Sequence, residues 1–205
     1  MAFPVTGVLD DFNRADAITL GANWSNISGA AQDGGISSNQ AYNPDASNEA
    51  LYWNVAQYGA DCEAYLSIPV LSASNGVSVR ARLKDVGGSG SDGYELYVTF
   101  GGNWEIYEIT NGTGTKLGST VAGGISATDQ IGISLVGSTI KGYRNGSEIL
   151  SRTDGTWGAS GYIGIYLPNS SIVRLENFGG GTIVAAAKAP PPFQKHTNYV
   201  WNRRN

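Results

Sequence analysis

YELYVTFGG, residues 94–102, decides the fold class. Tyr94, Leu96, Val98 and Phe100 alternate with Glu95, Tyr97 and Thr99, and the Gly101-Gly102 pair closes the run. A period of two sends one set of side chains into a core and the other into water, the pattern of a half-buried strand in an antiparallel sheet. The period continues outward. VSVRARLK, residues 77–84, sets Val77, Val79, Ala81 and Leu83 toward a core and Ser78, Arg80, Arg82 and Lys84 toward water. Ile131, Ile133 and Leu135 repeat it around Gly132 and Ser134, and Ile163, Ile165 and Leu167 repeat it among Tyr162, Gly164 and Tyr166. Asn75-Gly76, Asn111-Gly112 and Asn145-Gly146 fall between such runs. Asn-Gly favours a type I′ turn because both residues tolerate positive φ, so 139–144 and 147–152 are predicted to form one tight hairpin. The pattern predicts about twelve short strands and no helix, hence a sandwich or barrel. No fixed-period repeat is visible, which argues against a propeller or solenoid.

Composition narrows the class further. The chain has 205 residues, enough for one domain with an arm. Glycine is abundant, at 29 residues, but follows no collagen-like period. Cys62 is the only cysteine, which excludes a disulfide framework, and with His196 as the only histidine a Cys/His zinc site has too few ligands. No stretch reaches the ~18 apolar residues of a spanning helix, and residues 1–20 lack a basic-then-apolar leader pattern. The expectation is a protein made in the cytoplasm with no membrane partner.

Charge is uneven. Residues 181–205 carry Lys188, Lys195, Arg203 and Arg204 and no acid, a side-chain charge of +4, whereas the remainder carries -8. An acidic body argues against nucleic acid as partner. Gly179 to Gly181, then Ala185 to Ala187, then Pro190 to Pro192 read as a linker becoming polyproline-like. The predicted organisation is a sandwich domain over 1–179 and an arm over 180–205.

The order of segments resembles a known family. VLDDFNRADAITLGANWS resembles the first strand of concanavalin A-like (laminin G-like) jelly rolls. YELYVTFGGNWEIYEITNGTGTKLGS resembles their central hairpin, and VGSTIKGYRNGSEIL, TWGASGYIGIYL and VRLENFGGG resemble their closing strands. The likeness spans roughly residues 8–179 and implies an all-β jelly-roll sandwich. Modules of this kind occur in carbohydrate-binding proteins, in secreted glycosidases and in tailed-phage virion proteins. Fold does not fix function, so each role is weighed on residues.

Hydrolysis of a glycosidic bond needs two carboxylates about 5–9 Å apart. The catalytic relatives carry Glu-x-Asp along one strand, and this chain has none. Glu105 and Glu108 are three apart and face oppositely, and Glu95 has no second acid two residues away. The expectation is a non-catalytic protein. Sugar binding uses flat aromatic rings with amides and carboxylates for the hydroxyls. Tyr65, Tyr97, Tyr107, Tyr143, Tyr162 and Tyr166 mostly fall out of phase with the core and are read as lining one glycan face. Their alternative is packing under loops, or a protein interface.

Asp10, Asp11, Asn13 and Asp16 cluster near the amino end and Glu176 sits in the last strand-like run. First and last strands often pair in such jelly rolls, so these oxygens are candidates for a structural Ca²⁺. Their alternative is turn capping. Trp24, Trp53, Trp104 and Trp157 are read as core or rim, and Cys62 as a small buried hydrophobe in phase with Ala64, Leu66 and Ile68. Phe193, Lys195, Tyr199, Trp201, Arg203 and Arg204 have the composition of an interface anchor. These readings make the leading expectation a structural virion protein, a capsid decoration or other surface component, fastened by its arm to other virion proteins or copies of itself. The alternative is a carbohydrate-binding module for attachment to host or glycan surfaces.

Overall fold

The computed structural model describes residues 2–28, 34–45, 47–72, 76–88 and 90–184. Sixteen strands and no helix appear among them. They run β1 Val8–Asp10, β2 Trp24–Asn26, β3 Gly35–Ser37, β4 Gln40–Tyr42, β5 Glu49–Trp53, β6 Cys62–Val70, β7 Gly76–Lys84 and β8 Asp92–Thr99. The second half supplies β9 Asn103–Thr110, β10 Thr113–Lys116, β11 Val121–Ala122, β12 Gln130–Val136, β13 Thr139–Arg144, β14 Ser147–Thr153, β15 Tyr162–Leu167 and β16 Arg174–Thr182. The strands beyond the expected dozen are short pieces whose few residues show no period.

Two antiparallel sheets form a jelly-roll sandwich. The front sheet has the order β10-β9-β8-β7-β15-β5-β2, with β11 also on β9. The back sheet has the order β14-β13-β12-β6-β16-β4-β3, with β1 on β16. Neighbours far apart in sequence, such as β15 between β7 and β5, are what the jelly-roll winding demands. The alternating residues meet between the sheets as predicted. Val77, Val79, Ala81, Leu96, Val98, Ile131, Ile133, Leu135, Ile163 and Ile165 are all fully buried in one core with Trp104 and Phe178. Burying each large aliphatic side chain stabilises by roughly 1.5–3 kcal/mol relative to exposure.

Asn145 and Gly146 take φ of 49° and 79°, the type I′ geometry, and join β13 to β14 as the sequence requires. Arg82 departs from its expected place in water. A bulge between Ala81 and Lys84, with Arg82 at φ 53°, turns this side chain inward to 0 % exposure. Its guanidinium donates to the carbonyls of Ala60 (2.6 Å), Gly137 (2.7 Å) and Trp157 (3.0 Å), tying three connections to the sheet. Beside it lies Cys62, buried as expected, its thiol pushed up to about 11 chiefly by burial. Gly180, Gly181 and Thr182 are the last residues of β16, in register with Ala64, Glu63 and Cys62.

Candidate functional site

The outward residues of the front sheet form two rows that cross the strands. Register places Lys116, Tyr107, Glu95, Arg80, Gly164, Tyr52 and Ser25 side by side in one row. The next row is Glu105, Tyr97, Ser78, Tyr166 and Ala50. Cross-strand neighbours at ~5 Å interact directly, so the rows are a surface and not separate residues. Tyr97 meets Tyr166 edge-on at 6.2 Å, and Tyr52 meets Tyr162 at 5.0 Å. All four rings are half-buried, each keeping part of its surface in water.

Polar groups hold this surface rigid. Glu95 accepts from Ser78 Oγ (2.5 Å) and Arg80 Nε (3.0 Å), and the Arg80 guanidinium lies 5.8 Å from the centre of the Tyr166 ring. Glu105 accepts from Thr120 Oγ1 (2.5 Å), Tyr107 OH (2.6 Å) and Lys116 Nζ (3.2 Å). Burial pulls the Glu105 carboxyl upward, but these three bonds outweigh it and hold it below the usual carboxylate value. Burial first, and then the hydrogen bond it donates to Glu105 and the charge of that carboxylate, push the Tyr107 phenol up to about 12. Burial and neighbouring Tyr97 and Glu95 push Tyr166 up to about 12 as well.

At the Tyr166–Arg80 end the face opens into a cleft of about 340 Å³, lined also by Asn26, Asn48, Glu49 and Ser91. Asn26 Nδ2 donates to Glu49 Oε2 (2.6 Å) and Ser47 Oγ to Glu49 Oε1 (3.0 Å). The cleft is therefore lined by a ring, a guanidinium, amides, a hydroxyl and a carboxylate.

Four of the six predicted tyrosines share this face: Tyr97, Tyr107, Tyr162 and Tyr166. Tyr65 and Tyr143 do not. Both lie on the outer side of the back sheet, where Gly132 separates them in register. The amino-terminal segment crosses them there. Phe3 stacks on Tyr143 at 4.1 Å and meets Tyr65 edge-on at 6.3 Å, and Tyr65 OH donates to Thr6 O. Being out of phase with the core does not say which of two outer faces a residue joins. Arg80 and Tyr52 were not read from the sequence as site residues, and Glu95 and Glu105 were weighed there only as catalytic carboxylates and set aside. Their signal was the outward phase of their strands, and only register brings them together.

The same register matters for catalysis. Glu95 and Glu105 sit diagonally on adjacent strands, a relation of roughly 7–8 Å that spacing along one strand does not reveal. A glycosidase needs one carboxyl kept protonated. Glu105 is held ionised and Glu95 is paired with Arg80 (2.9 Å).

The calcium candidates are brought near the paired ends of β1 and β16, as expected of first and last strands. Their oxygens, however, face donors. Asp10 accepts from Arg14 Nη1 (2.6 Å), Arg14 Nη2 (3.1 Å), Trp24 Nε1 (2.8 Å) and the Phe12 amide. Asp11 accepts from the Asn13 amide, Asp16 from the Ser38 amide, and Glu176 from Gln40 Nε2 (2.6 Å). The Arg14 guanidinium takes the place of a cation at Asp10, so as paired Asp10 does not fit a metal. Among the described residues no three His, Cys, Asp or Glu side chains gather to hold one. Phe193, Lys195, Tyr199, Trp201, Arg203 and Arg204 lie outside the described residues.

No family model matches the sequence, and no curated protein matches it. Solved structures do resemble the fold. The carbohydrate binding module CBM66 from Bacillus subtilis superposes with TM-score 0.63 at 11% identity, over 80% of this chain and 98% of that one. The exoplasmic/lumenal domain of VIP36 in a Ca²⁺/Man2-bound form gives 0.59 at 7% identity, over 89% and 90% of the two chains. A legume lectin-like domain from Entamoeba histolytica gives 0.54 at 9% identity, over 79% and 91%. The concanavalin A-like jelly-roll fold read from the sequence is thus the fold that these structures share.

Proposed function

We propose that this domain is a carbohydrate-binding module that seats a glycan on the front face, at the Tyr166–Arg80 end where the cleft opens. The observation that carries the reading is the pair of cross-strand rows. Rings for the apolar face of a sugar lie within one strand spacing of carboxylate, guanidinium and hydroxyl groups already fixed by hydrogen bonds. Such pre-fixed polar groups bind hydroxyls without ordering cost. Two of the similar folds are a carbohydrate binding module and a domain in a Ca²⁺/Man2-bound form, which supports the same reading. The test is titration calorimetry against a panel of neutral and acidic oligosaccharides. Binding that is weakened roughly tenfold in Tyr166→Ala and kept in Tyr143→Ala supports it. Failure of every glycan, or binding insensitive to front-face substitutions, overturns it.

A second reading, a structural subunit of a virion made in a host cytoplasm, is favoured by the basic aromatic composition of 185–205. Light scattering on the intact chain and on one ending at Val184 tests it. Assembly by the intact chain alone supports it, and the same monomer from both overturns it.

A further inference from the structure

The back sheet carries a second concavity that the glycan reading leaves unused. It is a groove of about 730 Å³ over the outer side of β6, β12, β13 and β14, closed on one flank by Phe3 and Val5. Its charged lining is three carboxylates, Asp61, Glu63 and Glu148, and one ammonium, Lys141, which pairs with Glu148 at 2.8 Å. Glu63 is 1 % exposed and its Oε1 alone accepts from the Val5 amide, the Thr6 amide and Thr6 Oγ1, each at 2.7 Å. Asp61 Oδ1 accepts from the Gly137 amide. Val136, Phe3 and Ile183 add apolar walls.

The chain itself leaves the described structure at this groove. Ile183 is one of its walls, fixed by its amide to Asp61 O at 2.8 Å, and Val184 follows, largely in water. Twenty-one residues remain, 185–205, with four cationic side chains and no acid. We propose that this groove is the seat of the chain's own carboxyl-terminal segment, Phe193–Asn205. The charges are complementary, and three aromatic rings among the cations match a lining that is part apolar and part acidic. The reach suffices. From Val184 to Phe193 nine residues, at the polyproline rise of about 3.1 Å each, reach up to roughly 28 Å. The groove, from β6 across β12 and β13 to β14, is three strand spacings or about 14 Å wide. A tether of this length holds the segment near the groove at an effective concentration on the order of millimolar, which favours the chain's own arm over a second copy's.

The test uses the full chain with Thr197→Cys carrying a nitroxide, since Cys62 is buried and its thiol stays protonated at neutral pH. Amides of Ser134, Val136, Thr139 and Gly146 are expected to lose most of their intensity, and those of Ser91 and Gly112 at the front cleft to keep it. Raising salt to about 1 M, where screening acts within about 3 Å, should restore the groove signals. Glu148→Lys should restore them too, while Glu148→Gln, which keeps shape and removes one charge, should restore them in part. Uniform broadening, or none at the groove, overturns the proposal. Broadening seen only when nitroxide-bearing chains are mixed with separate isotope-labelled chains overturns it in favour of a second copy's arm.

Discussion

Tyr65 and Tyr166 occupy the same phase in their strands, outward from one core, yet their surroundings are opposite. Tyr65 is 3 % exposed, under Phe3 and Thr6, with its hydroxyl satisfied by a backbone carbonyl. Tyr166 is half-exposed beside Arg80 at the mouth of a cleft. The chain's own amino-terminal segment covers the back face over Tyr65, and nothing among the described residues crosses the front face over Tyr166 in the same way. What a tyrosine does on a sheet surface is therefore set by what crosses over it.

The back-face glycines show how that cover was made to fit. A Cβ on Gly132 would lie 2.2 Å from the Phe3 ring, and one on Gly179 2.2 Å from the Tyr65 ring. Only hydrogen at these positions lets two rings lie flat against the strands.

Substitutions on the two faces should separate stability from binding. The largest effect is expected from Tyr65→Ala, which empties a buried site and should cost about 3 kcal/mol in urea denaturation with glycan affinity unchanged. Phe3→Ala removes the cover and should cost about 2 kcal/mol, again without touching the front face. Equal costs for Tyr65→Ala and Tyr166→Ala would break the distinction between covered and open faces. Tyr166→Ala should instead weaken glycan binding roughly tenfold, about 1.4 kcal/mol, while lowering stability by less than about 1 kcal/mol. Calorimetry and urea melts on the same protein check both halves.

A smaller effect lies in alkali. Tyr107 and Tyr166 have folded values pushed up to about 12, above the ordinary 10, because burial and nearby carboxylates disfavour the phenolate. A group raised on folding contributes its stability below the unfolded value and loses it as pH rises toward the folded one. Stability should therefore fall between about pH 10 and 12. Tyr107→Phe should remove one late-ionising phenol from the ultraviolet titration. The smallest effect is expected from calcium. With Asp10 already paired to Arg14 and Trp24, added Ca²⁺ or a chelator should move Tm by less than about 1 °C. A rise of several degrees would show that those oxygens rearrange around the ion.

The fold was legible because its signal is local. Alternation in 77–84, 94–100, 131–135 and 163–167 needs only neighbouring residues, and the Asn145-Gly146 turn needs only two backbones that tolerate positive φ. The tryptophans also behaved locally: Trp24 and Trp104 are buried, with their indole N–H groups on Asp10 and on Gly124 O. The site was legible only in part. Outward phase gathered Tyr97, Tyr107, Tyr162 and Tyr166 of the front sheet together with Tyr65 and Tyr143 of the back sheet, because phase does not name the sheet. Arg82 read as a solvated strand residue because alternation carries no sign of a bulge.

By itself the sequence determined an all-β sandwich, its core residues, its tight hairpin and the opposite charges of body and arm. These follow from period, turn chemistry and composition, which are properties of nearby residues. Tertiary structure alone decided which outward tyrosines are covered and which stay open. It also decided that Glu95 and Glu105 share the front face, and that the Trp24 indole meets Asp10. The physical reason is register. Strand order and bulges bring together residues tens of positions apart, and side chains one strand away interact as strongly as those one turn away along the chain.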